Sequence, residues 1–181
     1  MRVITGTARG RKLGQLQGMD TRPTTDQVKE SIFNIIQFDI EGRRVLDLFA
    51  GTGQLGIEAL SRGAAGCTFV DQRKEAVALV RSNLKLCQLS EKARVVQGEG
   101  LSFLSTVREP FHLIFLDPPY KAELLENALK KIAEIDMLKE NGIIICESPA
   151  DRRLPALAAP YEKGRDYRYG KIKLTLYRRS V

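Results

Sequence analysis

The chain has 181 residues, of which 43% are apolar and 28% charged, and its formal net charge is +7 with an isoelectric point near 9.5. This composition excludes wholesale disorder, collagen-like repeats and coiled coils, and the length fits one globular domain. No apolar run approaches the roughly 20 residues of a membrane-spanning helix, and no signal-peptide stretch follows Met1. We therefore expect a cytoplasmic protein without a membrane partner.

The positive charge is concentrated at the two ends of the chain. Residues 1–29 carry a net charge of +4 and residues 151–181 carry +6, whereas the segment between them carries −3. Basic side chains alternate with glycine around Arg9 and Arg11, and with tyrosine around Arg168. Such mixtures suit phosphate contact and base stacking, although a solvated surface would also explain them. The ends are therefore candidate nucleic-acid surfaces.

Cysteine and histidine are too few and too scattered for a metal or disulfide framework. Cys67, Cys87 and Cys146 are odd in number and form no C-x-x-C pattern, and His112 is the single histidine. We expect the cysteines to be small buried hydrophobes and the protein to hold no metal.

The N-terminal segment predicts a hairpin followed by a helix. Residues 2–5 and 11–15 could pair around Gly6 and Gly10. A helix is predicted after Pro23, because Thr24 and Gln27 have the spacing of a capping box. The apolar residues that follow share one helical face, namely Val28, Ile32, Ile35 and Ile36. We assign residues 1–43 to an N-terminal extension.

The central segment alternates short β-rich runs with longer helical runs. Strands are predicted at residues 45–49, 67–70, 93–97, 111–116 and 142–147. Helices are predicted between them at residues 55–62, 73–86, 101–107 and 123–135. The unbroken apolar run at 111–116 is typical of a strand buried on both faces of a parallel sheet. This order predicts a doubly wound α/β domain.

The C-terminal segment predicts a second hairpin. Three prolines, Pro149, Pro155 and Pro160, separate the last core strand from β-like runs at residues 161–169 and 171–177, which are joined at Gly170. We therefore assign residues 44–181 to one domain, which contains the predicted core strands and this hairpin.

The strongest local motif is the glycine-rich turn after the first predicted strand. Gly51 and Gly53 allow a tight turn and a close approach to a ligand, and the following helix offers free N–H groups. With Gly56 they also match the dinucleotide fingerprint, and Asp71 lies 20 residues after Gly51, where an acid that binds ribose is expected. The pattern alone is therefore compatible with two kinds of cofactor.

Acidic residues around the turn favour a cationic ligand. Asp47 ends the first strand, four residues before Gly51, where a carboxylate would repel a pyrophosphate but attract an amine-bearing group. Glu99, just past the third strand, could accept a hydrogen bond from an adenine amino group, although simple surface exposure also explains it.

The segment Asp117-Pro118-Pro119-Tyr120 directly follows the apolar fourth strand. Two consecutive prolines fix the backbone, so that a carboxylate and a carbonyl can accept both hydrogens of a planar amine. The tyrosine ring can stack on the base that carries this amine. The motif therefore indicates chemistry on an exocyclic amino group.

In this order and spacing, the glycine-rich turn, Asp71 and Asp117-Pro118-Pro119-Tyr120 resemble an S-adenosylmethionine-dependent amino-methyltransferase of the Rossmann-like class. The N-terminal stretches Arg2-Val3-Ile4-x-Gly6-x-x-Arg9-Gly10-Arg11-Lys12-Leu13 and Arg22-Pro23-Thr24-Thr25-Asp26-x-Val28-Lys29-Glu30-x-x-Phe33-Asn34 resemble the bacterial RsmD family. Members of that family methylate N2 of one guanine in 16S ribosomal RNA. Gln27 departs from the pattern, which usually has arginine there, and this puts one RNA phosphate contact in doubt.

The resemblance implies a seven-stranded, mostly parallel sheet with one antiparallel strand in the C-terminal hairpin, and S-adenosyl-L-methionine as cofactor. The implied catalytic residues are Asp117, Pro118, Pro119 and Tyr120. The implied cofactor-binding residues are Asp47, Phe49, Ala50, Gly51, Thr52, Gly53, Asp71, Gln72, Glu99 and Gly100. The implied RNA-binding residues are Arg9, Arg11, Lys12, Arg22 and Thr24. We expect a monomer that acts on 16S ribosomal RNA, free or within the small subunit.

Three alternatives remain open. An adenine-N6 methyltransferase would use the same motif, but a sequence-specific DNA enzyme usually needs a larger recognition region than this chain offers. An NAD-dependent oxidoreductase would explain the glycines but not Asp117-Pro118-Pro119-Tyr120. An RNA-binding module with a vestigial nucleotide fold would need neither cofactor.

Overall fold

The computed structural model describes residues 1–17, 24–121 and 123–181, and these form one α/β unit. The strands are β1 (Arg44–Asp47), β2 (Gly66–Asp71), β3 (Ala93–Gln97), β4 (Phe111–Leu116), β5 (Leu138–Pro149), β6 (Tyr161–Tyr169) and β7 (Ile172–Arg179). The α-helices are α1 (Asp26–Ile35), α2 (Gln54–Ser61), α3 (Lys74–Leu86), α4 (Gly100–Leu104) and α5 (Leu124–Ile135).

The seven strands form a single sheet in the order β3-β2-β1-β4-β5-β7-β6. Strands β1 to β5 run parallel to one another, whereas β7 runs antiparallel to both β5 and β6. The predicted fold class, including one antiparallel strand in a C-terminal hairpin, is confirmed. The strand order reverses between β1 and β4, which is where open α/β sheets bind their ligands.

Helices cover both faces of the sheet and divide the core into two layers. One layer packs apolar residues of α1, α2 and α3 on the sheet, and Phe33 of α1 lies 5.8 Å from Phe115 of β4, ring centre to ring centre. The other layer packs α4 and α5 on the opposite face. Because side chains alternate between faces, Asp47 and Asp117 project into the α1–α3 layer together with Val45 and Phe115.

The N-terminal segment pairs as a hairpin with a single antiparallel bridge, between Arg2 and Lys12. Two backbone hydrogen bonds form this bridge, from the Val3 N–H to the Arg11 carbonyl at 2.9 Å and from the Leu13 N–H to the Met1 carbonyl at 3.0 Å. A third, from the Gly10 N–H to the Val3 carbonyl at 2.8 Å, extends the pairing. Val3 and Leu13 are buried in the α1–α3 layer, so the hairpin packs into the same core as the sheet.

A buried carboxylate attaches this hairpin to α2. Glu58 accepts hydrogen bonds from the backbone N–H groups of Ile4 and Thr5 at 2.8 and 3.0 Å. It also pairs with Lys29 of α1 at 3.4 Å and with Arg62 at 2.9 Å, and both the Glu58 and Lys29 side chains are fully buried. One side chain therefore joins the hairpin, α1 and α2.

The predicted cap of α1 is wrong by one residue. The N-cap is Thr25, whose hydroxyl accepts a hydrogen bond from the Val28 N–H at 3.2 Å, and Thr24 precedes it. Thr24 points elsewhere because its hydroxyl donates to two carboxyl groups of the site described below. Two adjacent threonines make the sequence pattern ambiguous, and tertiary contacts decide which of them caps the helix.

Other boundaries shift by a few residues. Strand β5 begins at Leu138, before the predicted start at 142, because Leu138 pairs with Phe111 across an irregularity in the register. Helix α4 ends at Leu104, earlier than predicted. The three cysteines are buried and free, as expected. Among the described residues, no helix is long and apolar enough to cross a membrane.

Candidate active site

The glycine-rich turn joins β1 to α2 at the carboxyl edge of the sheet. Gly51 and Gly53 have positive φ angles of 58° and 82°, and Gly53 caps α2 in the left-handed conformation. The turn is fixed by a hydrogen bond from the Gly53 N–H to the Ala50 carbonyl at 2.8 Å. A β-carbon on Gly56 would lie 2.3 Å from the Phe69 ring, so glycine is required for the close packing of α2 on β2.

Asp47 is buried at the end of β1, behind the turn. Its carboxylate accepts a hydrogen bond from the Gly56 N–H at 3.1 Å. Burial, with a smaller contribution from the nearby Asp71 charge, raises the pKa of Asp47 to about 7. The site therefore holds a carboxyl group that a bound cation would stabilise in its ionised form.

Asp71 ends β2, and its carboxylate accepts hydrogen bonds from the glycine-rich turn and from Arg73. One oxygen accepts from the Gly51 N–H at 2.9 Å and from the Arg73 guanidinium at 3.2 Å, and the other accepts from the Arg73 N–H and Nε at 2.9 and 3.1 Å. Sequence reasoning missed Arg73. A ribose that binds Asp71 must share this carboxylate with the guanidinium or displace it.

The remaining predicted cofactor residues lie along the same edge. Ala50 and Gly100 are buried, Phe49, Gly51 and Thr52 are half-buried, and Gln72 and Glu99 are exposed. Glu99 occupies the N-cap position of α4, and a β-carbon on Gly100 would lie 3.1 Å from the Phe49 ring. The structure thus brings the predicted residues of three strand ends to one edge.

The Asp117-Pro118-Pro119-Tyr120 segment leaves the sheet directly after β4. Asp117 is half-buried and Pro118 is buried, whereas Pro119 is exposed and Tyr120 is 56% exposed. The Lys121 N–H donates to the Pro119 carbonyl at 2.6 Å, which turns the chain away from the sheet. The motif therefore presents a carboxyl group at its base and an aromatic ring at its outer end.

Asp117 meets two partners, and sequence reasoning named one of them for a different role. The Thr24 hydroxyl donates to Asp117 Oδ2 at 3.2 Å and to Glu147 Oε2 at 3.1 Å. Leu116 of β4 is paired with Cys146 of β5, which places Asp117 beside Glu147. Thr24, predicted as an RNA contact, is buried against these two acids.

Glu147 could have been found from the sequence. It directly follows the apolar run from residue 143 to 146, just as Asp117 directly follows the apolar run of β4. Because both strands are parallel, both acids emerge at the same edge of the sheet.

The two acids strongly affect each other's protonation. Burial and the adjacent Glu147 carboxylate raise the pKa of Asp117 well above its usual range, and a smaller contribution comes from Asp47. Burial also raises the pKa of Glu147, against the hydrogen bonds from Thr24 and Asp117. The pair therefore favours a state in which it shares a proton.

Two buried amides support the site and were also missed. Gln54 donates to the Thr24 carbonyl at 3.4 Å, and its Oε1 has no hydrogen-bond partner among the described residues. Asn83 of α3 donates to the carbonyls of Thr52 and Gly14 at 2.9 and 3.3 Å. The amides tie the glycine-rich turn to the N-terminal segment, and their residue types alone gave no signal of this.

The basic residues predicted to bind RNA lie on the surface. Arg9, Arg11 and Lys12 are exposed on the N-terminal hairpin, and Arg22 lies outside the described residues. In the C-terminal hairpin, the Arg165 guanidinium lies 5.1 Å from the centre of the Tyr167 ring. The Ala150 N–H donates to the Lys171 carbonyl, so the turn between β6 and β7 lies beside the carboxyl end of β5.

Comparisons with known proteins agree with this architecture. The family model described as "Conserved hypothetical protein 95" matches residues 1–178. The YlbH protein of Bacillus subtilis (strain 168) is 45% identical over 182 residues, covering 99% of each chain. The solved structure of yhhF from Escherichia coli has a TM-score of 0.90 and 34% identity, covering 100% of this chain and 98% of that one.

A second Escherichia coli relative carries a functional name. "Ribosomal RNA small subunit methyltransferase D" of strain K12 is 36% identical over 181 residues, which covers 100% of this chain and 91% of the relative. The match extends over the N-terminal hairpin, the glycine-rich turn and the Asp117 segment alike. The chain therefore belongs to the ribosomal RNA small subunit methyltransferase D family.

Proposed function

We propose that this protein transfers a methyl group from S-adenosyl-L-methionine to the exocyclic N2 amino group of a guanine in 16S ribosomal RNA. The observation that carries the proposal is the position of Asp117, which follows β4 beside the switch point of the sheet with its carboxyl group at the ligand-binding edge. The names of the relatives support a small-subunit ribosomal RNA as substrate.

The residues at this edge fit the proposed cofactor. S-adenosylmethionine supplies a methyl group that is electrophilic because it is bonded to positively charged sulfur. Asp47 offers a buried carboxyl group whose raised pKa a cationic ligand would lower, and Gln54 Oε1 is a buried acceptor in need of a donor. Gly51 and Gly53 form the turn beside them, and Asp71 lies within reach of the same turn. These residues would hold the cofactor.

The Asp117 segment would hold the substrate amine. Asp117 and the Pro118 carbonyl accept the two amine hydrogens, so that the nitrogen lone pair points at the methyl group. Tyr120 stacks on a base that has left its helix or loop. The contribution of this alignment can reach several kcal/mol, and no metal or covalent enzyme intermediate is needed.

The basic ends would hold the RNA. Arg9, Arg11 and Lys12 are exposed on the N-terminal hairpin. Arg165, Tyr167 and Arg168 lie on β6, which is joined through β7 to the part of β5 that carries Glu147. Both surfaces suit phosphate contact, and the tyrosines suit stacking. We assign residues 1–43 to an RNA-binding extension, and expect a monomeric enzyme that works in the cytoplasm.

Nucleoside mass spectrometry tests this function. Small ribosomal subunits and free 16S ribosomal RNA, both without the modification, are incubated with the protein and isotopically labelled S-adenosylmethionine, then digested. We expect the label in N2-methylguanosine. Label in N6-methyladenosine would contradict the substrate assignment, and binding of NAD rather than S-adenosylmethionine in calorimetry would contradict the cofactor assignment.

A further inference from the structure

One hydroxyl and two carboxyl groups meet behind the proposed amine site. Thr24 Oγ1 lies 3.2 Å from Asp117 Oδ2 and 3.1 Å from Glu147 Oε2, so one hydroxyl bridges the two carboxyl groups. A hydroxyl has a single proton to donate, and a hydrogen bond between two carboxyl groups requires a proton on one of them. One hydroxyl proton cannot satisfy two carboxylates, so this arrangement favours a state in which the pair holds one proton.

The groups around this pair add negative rather than positive charge. Among the described residues, the titratable groups that face Asp117 are Glu147 from β5 and Asp47 from β1, and the α1 side contributes the Thr24 hydroxyl. The ion pairs of the described residues involve other acids, including Glu58 and Asp71. A shared proton therefore limits the repulsion between the Asp117 and Glu147 carboxyl groups.

We propose that Glu147 is a positioning residue for methyl transfer: it carries the shared proton while Asp117 binds the substrate amine, and Thr24 holds the two carboxyl groups together. This inference rests on the proposed function. In the ligand-free site Asp117 holds the proton and donates it to Glu147. An amine donates more strongly to an ionised carboxylate than to a protonated one, so its binding to Asp117 moves the proton to Glu147. Asp117 then accepts a hydrogen bond from Glu147 and keeps lone pairs for the amine. Glu147 thus orients the Asp117 carboxylate without touching the substrate.

The same pair can take the proton that the reaction releases. As the amine nitrogen bonds to the methyl carbon, the carbon–sulfur bond breaks and its electron pair goes to sulfur. The nitrogen gains a positive charge and loses one N–H proton to Asp117. The pair then holds two protons, and one passes to water when the product leaves, which restores the starting state. The step needs no oxidant or reductant.

The inference gives the N-terminal segment a second role. Thr24 lies just before α1, and its carbonyl accepts a hydrogen bond from Gln54. Gln54 is the first residue of the helix that follows the glycine-rich turn. A residue of the segment assigned to RNA binding thus completes the catalytic pair. Loss of its hydroxyl would leave the two carboxyl groups with each other alone.

The test compares Glu147→Gln and Glu147→Ala with Glu140→Gln, a matched control because Glu140 lies on the same strand but is exposed near its opposite end. Single-turnover methyl transfer is measured across pH. The glutamine amide mimics the protonated acid and removes the negative neighbour of Asp117. We expect Glu147→Gln to keep most of the rate at pH 8. The loss of rate at low pH should begin about one pH unit lower than in wild type. Glu147→Ala should lose at least about tenfold in kcat, with KM for RNA unchanged.

A readout without turnover covers the case in which a variant folds poorly. Infrared difference spectra of the ligand-free protein at neutral pH should show a protonated carboxyl band in wild type and in Glu140→Gln that is weakened in Glu147→Gln. Thr24→Val should lower kcat, and Thr24→Ser should restore it. Identical pH profiles and identical carboxyl bands for Glu147→Gln and wild type would overturn the inference. If wild type methylates another nucleoside, the proposed function fails instead, and the comparison of pH profiles remains valid.

Discussion

The molecule contains two groups of inward-facing acids on the same face of its sheet, and their surroundings are opposite. Glu58 is fully buried but lies among two cations and two backbone N–H donors. Asp117 and Glu147 share one threonine hydroxyl and otherwise face each other. The partners of Glu58 therefore neutralise its charge. Asp117 and Glu147 instead place two carboxyl groups side by side.

This difference indicates what each group does. A buried charge whose partners are all supplied by the protein holds elements together, and its removal leaves those partners unpaired. Partly buried acids that lie side by side without such compensation destabilise the fold, and such sites persist where chemistry requires them. We therefore assign Glu58 to the attachment of the N-terminal hairpin, and Asp117 with Glu147 to the reaction.

The largest expected effect is the loss of methyl transfer in Asp117→Asn. The amide keeps the shape of the side chain but presents one acceptor fewer to the amine and cannot take its proton. We expect kcat to fall about 10²- to 10⁴-fold, while the affinity for S-adenosylmethionine, measured by calorimetry, stays within a few-fold of wild type. An equal loss of cofactor affinity would place Asp117 in the cofactor site instead.

Glu58→Gln should show the opposite pattern. Without the carboxylate, the buried Lys29 ammonium loses its acidic partner, and the neutral Arg2 carbonyl at 2.6 Å does not replace that charge. We expect a loss of about 3–5 kcal/mol in the free energy of unfolding, measured by urea denaturation.

Glu109→Gln is the matched control for Glu58→Gln. It removes the exposed ion pair with Arg44, and the expected loss is below about 1 kcal/mol. Equal losses of unfolding free energy in the two variants would contradict the assignment of Glu58 as the residue that attaches the N-terminal hairpin.

Asp47 should make cofactor binding depend on pH. Its pKa in the folded, ligand-free protein is about 7, and a cationic ligand prefers the ionised form, so affinity should rise as pH increases through 7. In Asp47→Asn this rise should disappear and the affinity at pH 8 should be lower. Calorimetry at several pH values checks both, and a wild-type affinity independent of pH would contradict the assignment.

The contribution of Asp47 to the stability of the fold should change with pH in the opposite direction to its effect on cofactor affinity. Its folded-state pKa of about 7 lies above the ordinary value of 3.8, so the folded protein binds this proton more tightly than the unfolded chain does. The contribution of Asp47 to stability is therefore greatest below about pH 4 and decreases as pH rises to about 7. Asp47→Asn should flatten this part of the profile of stability against pH.

The smallest expected effects concern the exposed charges, which belong to neither group. A variant with Arg9, Arg11 and Lys12 replaced by glutamine should bind 16S ribosomal RNA more weakly, with a shallower dependence of affinity on salt. Its unfolding free energy should change by less than about 1 kcal/mol. Replacement of Arg108, Lys130 and Lys139, also exposed, is the matched control. An equal loss of affinity in both variants would mean that total charge matters rather than the hairpin.

Much of the fold and of the cofactor edge could be predicted from the sequence, because those features depend on local patterns. The apolar runs predicted the parallel strands, and the glycines together with Asp47 and Asp71 predicted the turn. The interactions that could not be predicted connect distant residues. Thr24 reaches Glu147 across 123 positions of sequence, and Glu58 reaches Ile4 across 54, so neither pairing leaves a periodic signal.

The N-cap of α1, which is Thr25 and not the predicted Thr24, shows the same limit. Both residues satisfy the local rule for a cap, and only the acids at the ends of β4 and β5 decide between them. Glu147 was within reach of sequence reasoning, since an acid directly after a buried strand was the signal that identified Asp117.

The urea unfolding midpoint of Asp117→Asn tests the central claim most directly. If Asp117 is held near Glu147 for chemistry at the expense of stability, its replacement by a neutral side chain of the same shape should remove repulsion. We predict a midpoint at pH 8 equal to or above that of wild type, in a protein that no longer transfers methyl groups. A fall as large as that of Glu58→Gln would show that Asp117 stabilises the fold and would contradict the account.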